Sequence, residues 1–119
     1  MTQIPANSVF YPLLNKQALH DGLIQPIQVH QTAVLVVQQG HKVHVIESKC
    51  GHFGVPLDTA SVTETTITCP VHGFSFDLVN GRPVNREWEN CDPITVFRTY
   101  WQGDTLGLAI IDGKPTQSI

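Results

Sequence analysis

Charged side chains are scarce in this 119-residue chain: they make up 14% of it, with seven Lys and Arg against ten Asp and Glu. At a formal net charge of -3 it offers no basic face to neutralise phosphates, so neither nucleic acid nor an anionic membrane is an expected partner. Long apolar runs are missing too. The longest stretch of strong hydrophobes, Ala33 to Val37, falls far short of the roughly 20 residues a membrane helix needs. No Lys or Arg precedes Lys16 and there is no twin Arg, so the charged opening of an export signal is not seen and a cytoplasmic protein is expected. Repeats and low-complexity tracts are also lacking, and residues 1–119 read as a single domain long enough to enclose one core. There are only three cysteines, an odd number that does not make a disulfide framework. Cys91 stands alone and reads as a small buried hydrophobe.

Apolar residues at 41%, with nine Gly and eight Pro, indicate a compact, turn-rich protein. Short β-branched and aromatic runs between turn residues predict an all-β, antiparallel sandwich or barrel. Strands are expected over Val9 to Leu13, Ile24 to Val29, Thr32 to Gln38 and His41 to Glu47, the last with Val43 and Val45 on one face and His44 and Ile46 on the other. Asn15 is placed to cap one helical turn running through His20 to Asp21-Gly22. Further strands are expected at Thr65 to Thr68 and Phe74 to Val79, the latter followed by an Asn80-Gly81 turn. A final hairpin over Thr95 to Ile110 turns at Gln102-Gly103-Asp104. His20, His30, His41 and His44 lack matched ligand spacing and are expected at the surface or a sheet edge. Trp88 is expected to pack over the barrel.

The chemistry concentrates in two loops at strand ends, at about 48–57 and 69–76. One holds Cys50-Gly51-His52-Phe53-Gly54; the other, after 16 residues between His52 and Cys69, holds Cys69-Pro70-Val71-His72-Gly73. Each box offers one thiolate and one imidazole. Thiolate suits ferric iron bridged by sulfide, while neutral imidazole is a weaker donor that leaves its iron easier to reduce. Gly54 and Gly73 would let the backbone bend closely around such a group. A mononuclear zinc site could use the same four residues, but zinc fingers pair like ligands across short gaps, and here each box mixes them.

On these boxes the sequence resembles the Rieske iron-sulfur family, whose motif is Cys-x-His followed by Cys-x-x-His. Gly54 and Leu57 fit the extended first box; Phe76-Asp77-Leu78, Asn80-Gly81 and Pro83 fit the segment after the second. Gly51 departs from the Pro usual between the first Cys and His. The resemblance implies a Rieske-like sandwich with a small cluster-binding subdomain formed by the two loops, and one [2Fe-2S] cluster. It assigns Cys50 and Cys69 to the buried iron, and His52 and His72 to the outer one through their δ nitrogens. Relatives in respiratory cytochrome complexes add a bracing disulfide where this chain has Val55 and Val71, and carry Ser and Tyr where it has Phe74 and Phe76. With fewer hydrogen bonds to cluster sulfur, the potential is expected near the low end of the range, about -150 mV. Alternation turns Ser75 away from the side taken by Phe74 and Phe76.

The function this implies is that of a ferredoxin rather than an enzyme: a one-electron carrier between a flavin-dependent reductase and a terminal oxygenase. Two alternatives stay open, a small Rieske-like subunit of an NAD(P)H nitrite reductase and a cluster-based redox sensor. Four intact ligands favour the carrier over the first, and the lack of a DNA-reading element or basic tail counts against the second.

Overall fold

Val34, Leu35, Val36 and Val37 are each 0% exposed, which a strand achieves only when both of its faces are covered. Successive side chains on a strand point to opposite faces, and here Val34 and Val36 enter one apolar core while Leu35 and Val37 enter another. The computed structural model describes residues 4–50, 56–70, 73–84 and 92–118. In numerical order its strands are β1 (Val9–Asn15), β2 (Ile24–Val29), β3 (Thr32–Gln39), β4 (Lys42–Glu47), β5 (Ser61–Val62), β6 (Thr66–Thr68), β7 (Ser75–Asp77), β8 (Tyr100–Gln102), β9 (Thr105–Ile111) and β10 (Lys114–Pro115). The doubly buried strand is β3, paired antiparallel with β2 and β4. A second sheet pairs β1 along one side of β9, with β8 and β10 on the other. The third, β5-β6-β7, is small, and its strands run two, three and three residues.

The three sheets enclose two cores that share β3 and β4. On one side Val29, Val34, Val36 and Val45 meet Phe97, Leu106, Leu108 and Ile110 of the larger sheet. On the other, Leu35, Val37 and Ile46 meet Ile67, Phe76 and Leu78 of the small sheet, together with Cys50 and Cys69. Each fully buried Val or Leu contributes about 1.5–3 kcal/mol relative to an exposed one. The all-β antiparallel sandwich expected from the sequence is the fold observed.

Backbone pairing explains where the expected boundaries shift. The hairpin expected from Thr95 begins only at Tyr100, because the segment before it pairs elsewhere. Glu47 N donates to Thr95 O at 2.9 Å and Phe97 N to Val45 O at 2.8 Å, which lays this segment along β4. Its other side receives the C-terminal stretch, with Arg98 N on Thr116 O at 3.0 Å and Ser118 N on Val96 O at 2.8 Å. The expected helical turn is a 3-10 turn over Lys16–Ala18: Asn15 caps it by accepting from Gln17 N at 3.0 Å, and it stops at an extended Leu19. β7 ends at Asp77, earlier than expected, because the Asp77 carboxylate accepts from Val79 N at 2.7 Å and Asn80 N at 3.2 Å and turns the chain.

His44, expected at the surface or a sheet edge, lies on β4, an outer strand of the β2-β3-β4 sheet. It is half-buried there, and its Nε2 finds no hydrogen-bond partner among the described residues. Burial pushes its pKa below the usual 6.5, Lys42 adds to that shift, and Asp77 opposes it. His20, His30 and His41 are exposed as expected.

Gly81 holds the small sheet against the 94–98 segment. It has φ +77, its carbonyl accepts from Ile94 N at 2.8 Å, and a Cβ there would run into the Ile94 carbonyl. Gly81→Ala is therefore expected to cost at least about 2 kcal/mol through left-handed strain and overlap together, read as a lower urea midpoint. For His44, a depressed folded pKa means the unfolded chain binds the extra proton first. Its contribution is present above pH 6.5 and lost as pH falls through the lower folded value. A His44→Gln variant should show a flatter decline of urea midpoint between neutral and mildly acidic pH than the unaltered protein.

Candidate metal centre

The first loop leaves the central sheet at the end of β4. Ser48 N extends the ladder by donating to Ala33 O at 2.8 Å, and Lys49 N folds back onto Glu47 O at 2.8 Å. Cys50 follows, 1% exposed. The loop returns to the core at Leu57, whose N–H donates to the buried Ser48 Oγ at 3.1 Å. The second loop joins β6 to β7. Cys69 N donates to Phe74 O at 2.7 Å and Gly73 N to Cys69 O at 3.0 Å, which makes a closed turn with Cys69 at 1% exposure. Gly73 sits at φ +70 with nothing within 4 Å of a Cβ position, so backbone conformation, rather than crowding among the described residues, favours glycine there.

Two separate loops thus bring Cys50 and Cys69 into one apolar core with Leu35, Ile46, Leu57, Ile67 and Phe76. Both are thiols rather than halves of a disulfide. A thiolate alone in such surroundings is costly, and a bound metal centre compensates its charge, so this donor pair fits an iron-sulfur group held by cysteine. His52 and His72 lie outside the described residues, as do Gly51, Gly54, Val55, Val71, Trp88 and Cys91. Among the described residues no three His, Cys, Asp or Glu side chains converge as a metal site.

Ser75 behaves as alternation predicts. Its hydroxyl is 2.7 Å from Thr68 Oγ1 across the β6-β7 pair, while Phe76 fills the thiol core and Phe74 packs against it. Ser48 is the residue that the sequence reading passed over. Its only signal was a small hydroxyl at a strand end, two positions before a cysteine.

Residues 9–99 match the family described as Rieske [2Fe-2S] domain. The chain belongs to the Rieske family. The cofactor of a Rieske domain is a [2Fe-2S] cluster, and the two buried thiols suit it. Among curated relatives, the terminal oxygenase component CarAa of carbazole 1,9a-dioxygenase from a Sphingomonas species is 27% identical over 119 residues, covering 92% of this chain. The chain spans only 13 to 31% of the length of the curated relatives it matches. Among solved structures, the ferredoxin of carbazole 1,9a-dioxygenase from Nocardioides aromaticivorans IC177 superposes with a TM-score of 0.75 at 22% identity. That match covers 88% of this chain and 100% of the ferredoxin. A chain of a complex of reduced oxygenase and oxidized ferredoxin in carbazole 1,9a-dioxygenase has a TM-score of 0.71 at 20% identity, covering 84% of this chain and 100% of that one. These structural likenesses establish the Rieske fold.

Cys50→Ser and Cys69→Ser are each expected to lower iron and acid-labile sulfide from two apiece per chain to near zero, measured by colorimetric assay of purified protein. Retention of full iron by either variant would contradict a ligand role for that thiol.

Proposed function

We propose that this protein is a Rieske ferredoxin, a one-electron carrier that receives electrons from a flavin-dependent reductase and delivers them to a terminal oxygenase. The observation that carries this reading is the extent of the fold match, which takes in the whole of a ferredoxin chain from a dioxygenase system. The neighbour in which oxygenase and ferredoxin stand in one complex supports the oxygenase as partner; the reductase follows from the need for a low-potential donor. Residues 1–119 act as one domain in this proposal. Cys50 and Cys69 hold one iron, and His52 and His72 hold the other. When bound, the cluster supplies a one-electron redox centre.

The chain's own residues set how that centre behaves. Leu35, Ile46, Leu57, Ile67 and Phe76 surround the thiols with apolar groups and keep water from them. An added negative charge is poorly stabilised in such surroundings. Phe74 and Phe76 carry no hydroxyl to offset this, and the Ser75 hydroxyl is engaged with Thr68. Both features favour a low potential. Four protein ligands leave no open position for substrate, which favours a carrier over a catalyst. We place the protein in the cytoplasm. Among the described residues no helix is long and apolar enough to cross a membrane.

Two measurements test this proposal. The midpoint potential is expected near about -150 mV, the low Rieske limit, and the reduced protein is expected to lose its electron when mixed with the oxidised terminal oxygenase of a ring-hydroxylating system. A strongly positive potential, or no transfer to any such oxygenase, would overturn the ferredoxin reading while leaving the domain assignment intact.

A further inference from the structure

We propose that two side-chain clasps, Ser48 on Leu57 and Thr68 on Ser75, hold the ligand-bearing loops at their bases and thereby position Cys50 and Cys69. The proposal rests on the reading of these cysteines as ligands. In the first loop, Ser48 Oγ accepts from Leu57 N at 3.1 Å, and the two residues are 8% and 0% exposed. A buried backbone N–H needs an acceptor, and here the hydroxyl provides it. Ser48 is also tied to the central sheet by its own N–H on Ala33 O at 2.8 Å. The residue that closes the loop is therefore an extension of the β3-β4 ladder, and Cys50 lies two positions beyond it.

The second loop is closed in a parallel way. Thr68 and Ser75 are cross-strand partners at the ends of β6 and β7, with their hydroxyl oxygens 2.7 Å apart. Alternation puts both on the face opposite Ile67 and Phe76, which line the thiol core. This hydroxyl pair therefore acts through the backbone: it fixes the strand ends from which Cys69 and Phe74 leave, and those two residues are themselves joined by the 2.7 Å bond from Cys69 N to Phe74 O.

The strands that flank the second loop are only three residues each, so little other pairing resists its opening. Local opening is the route by which buried groups become accessible, and each clasp must break for its loop to open. Ser48 and Thr68 are accordingly positioning residues. Losing either frees its cysteine to sample other geometries, which speeds loss of the cluster and broadens its spectrum.

The test uses cluster-loaded protein. Ser48→Ala, Ser48→Thr and Thr68→Val are compared with the unaltered chain and with Thr63→Ala, which removes an exposed hydroxyl that pairs with Thr66 Oγ1 at 2.7 Å and accepts from Thr66 N at 3.0 Å in the β5-β6 turn, away from both ligand loops. Readouts are the rate of cluster loss to an iron chelator, the midpoint potential, and the line width of the reduced paramagnetic resonance signal. Ser48→Ala is expected to lose its cluster about tenfold faster, the size that follows from stranding one buried N–H. Its signal should be broader and its potential shifted, and Ser48→Thr should restore both. Thr68→Val should show a smaller change in the same direction, and Thr63→Ala none.

If Ser48→Ala does not accumulate, Thr68→Val decides alone: faster loss with a broadened signal supports the proposal, and unchanged behaviour overturns it. A normal Rieske signal in the unaltered protein, with rate and spectrum unmoved in the clasp variants, overturns the proposal alone. Equal acceleration in Thr63→Ala also overturns it, since the effect would then be general stability. An unaltered protein without a Rieske signal overturns the ligand reading and the clasps with it.

Discussion

Two thiols buried in one apolar core are the constraint around which the rest of the chain is arranged. Cys50 and Cys69 come from loops on different sheets, and their shared surroundings exist only because the small sheet packs on the back of β3 and β4. Strands of two and three residues cannot enclose a core by themselves, so the small sheet depends on Leu35, Val37 and Ile46 for its burial. The same dependence explains why β3 is apolar without interruption from Ala33 to Val37: each of its faces supports a different core. In the proposed ligand set the cysteines serve as metal ligands and as core side chains at once, which would link metal binding to folding of the small sheet.

The two halves are joined by backbone hydrogen bonds as well as by apolar contact. The 94–98 segment lies between β4 and the C-terminal stretch, and Gly81 docks on it from the small sheet at a separation no side chain would allow. The sandwich, the segment and the small sheet therefore form a continuous set of pairings that reaches the bases of both loops. A redox centre that changes charge without rearranging its protein needs such a support, and the buried hydroxyl of Ser48 is the point where the central sheet meets the first loop.

Much of this could be read in the sequence where one signal dominates. β2 was predicted at its observed bounds, and β3 and β4 to within one residue at an end, because β-branched runs and period-two alternation coincide with turn residues there. The thiol and imidazole boxes were legible because ligand chemistry restricts residue type and spacing together. What escaped depended on partners far along the chain. β5 and β10 are two residues each, too short to show any period. Residues 95–97 look like strand but pair with β4 instead of β9, and Asp77 ends β7 through its own side chain. His44 reads as polar, yet it shares a face of β4 with Ile46 and is half-buried there. Cys50 and Cys69 share one core, and His52 and His72 are proposed as their fellow ligands on the sequence motif.

Ligation by His52 and His72 is what distinguishes the proposed centre from an all-cysteine cluster or a zinc site. The most direct measurement is pulsed electron paramagnetic resonance on the reduced protein, with and without nitrogen-15 histidine. The expected result is a rhombic signal whose mean g lies below that of an all-cysteine cluster, with couplings to two histidine nitrogens that change on labelling. A signal without histidine coupling, or a colourless protein holding zinc, would contradict ligation by His52 and His72.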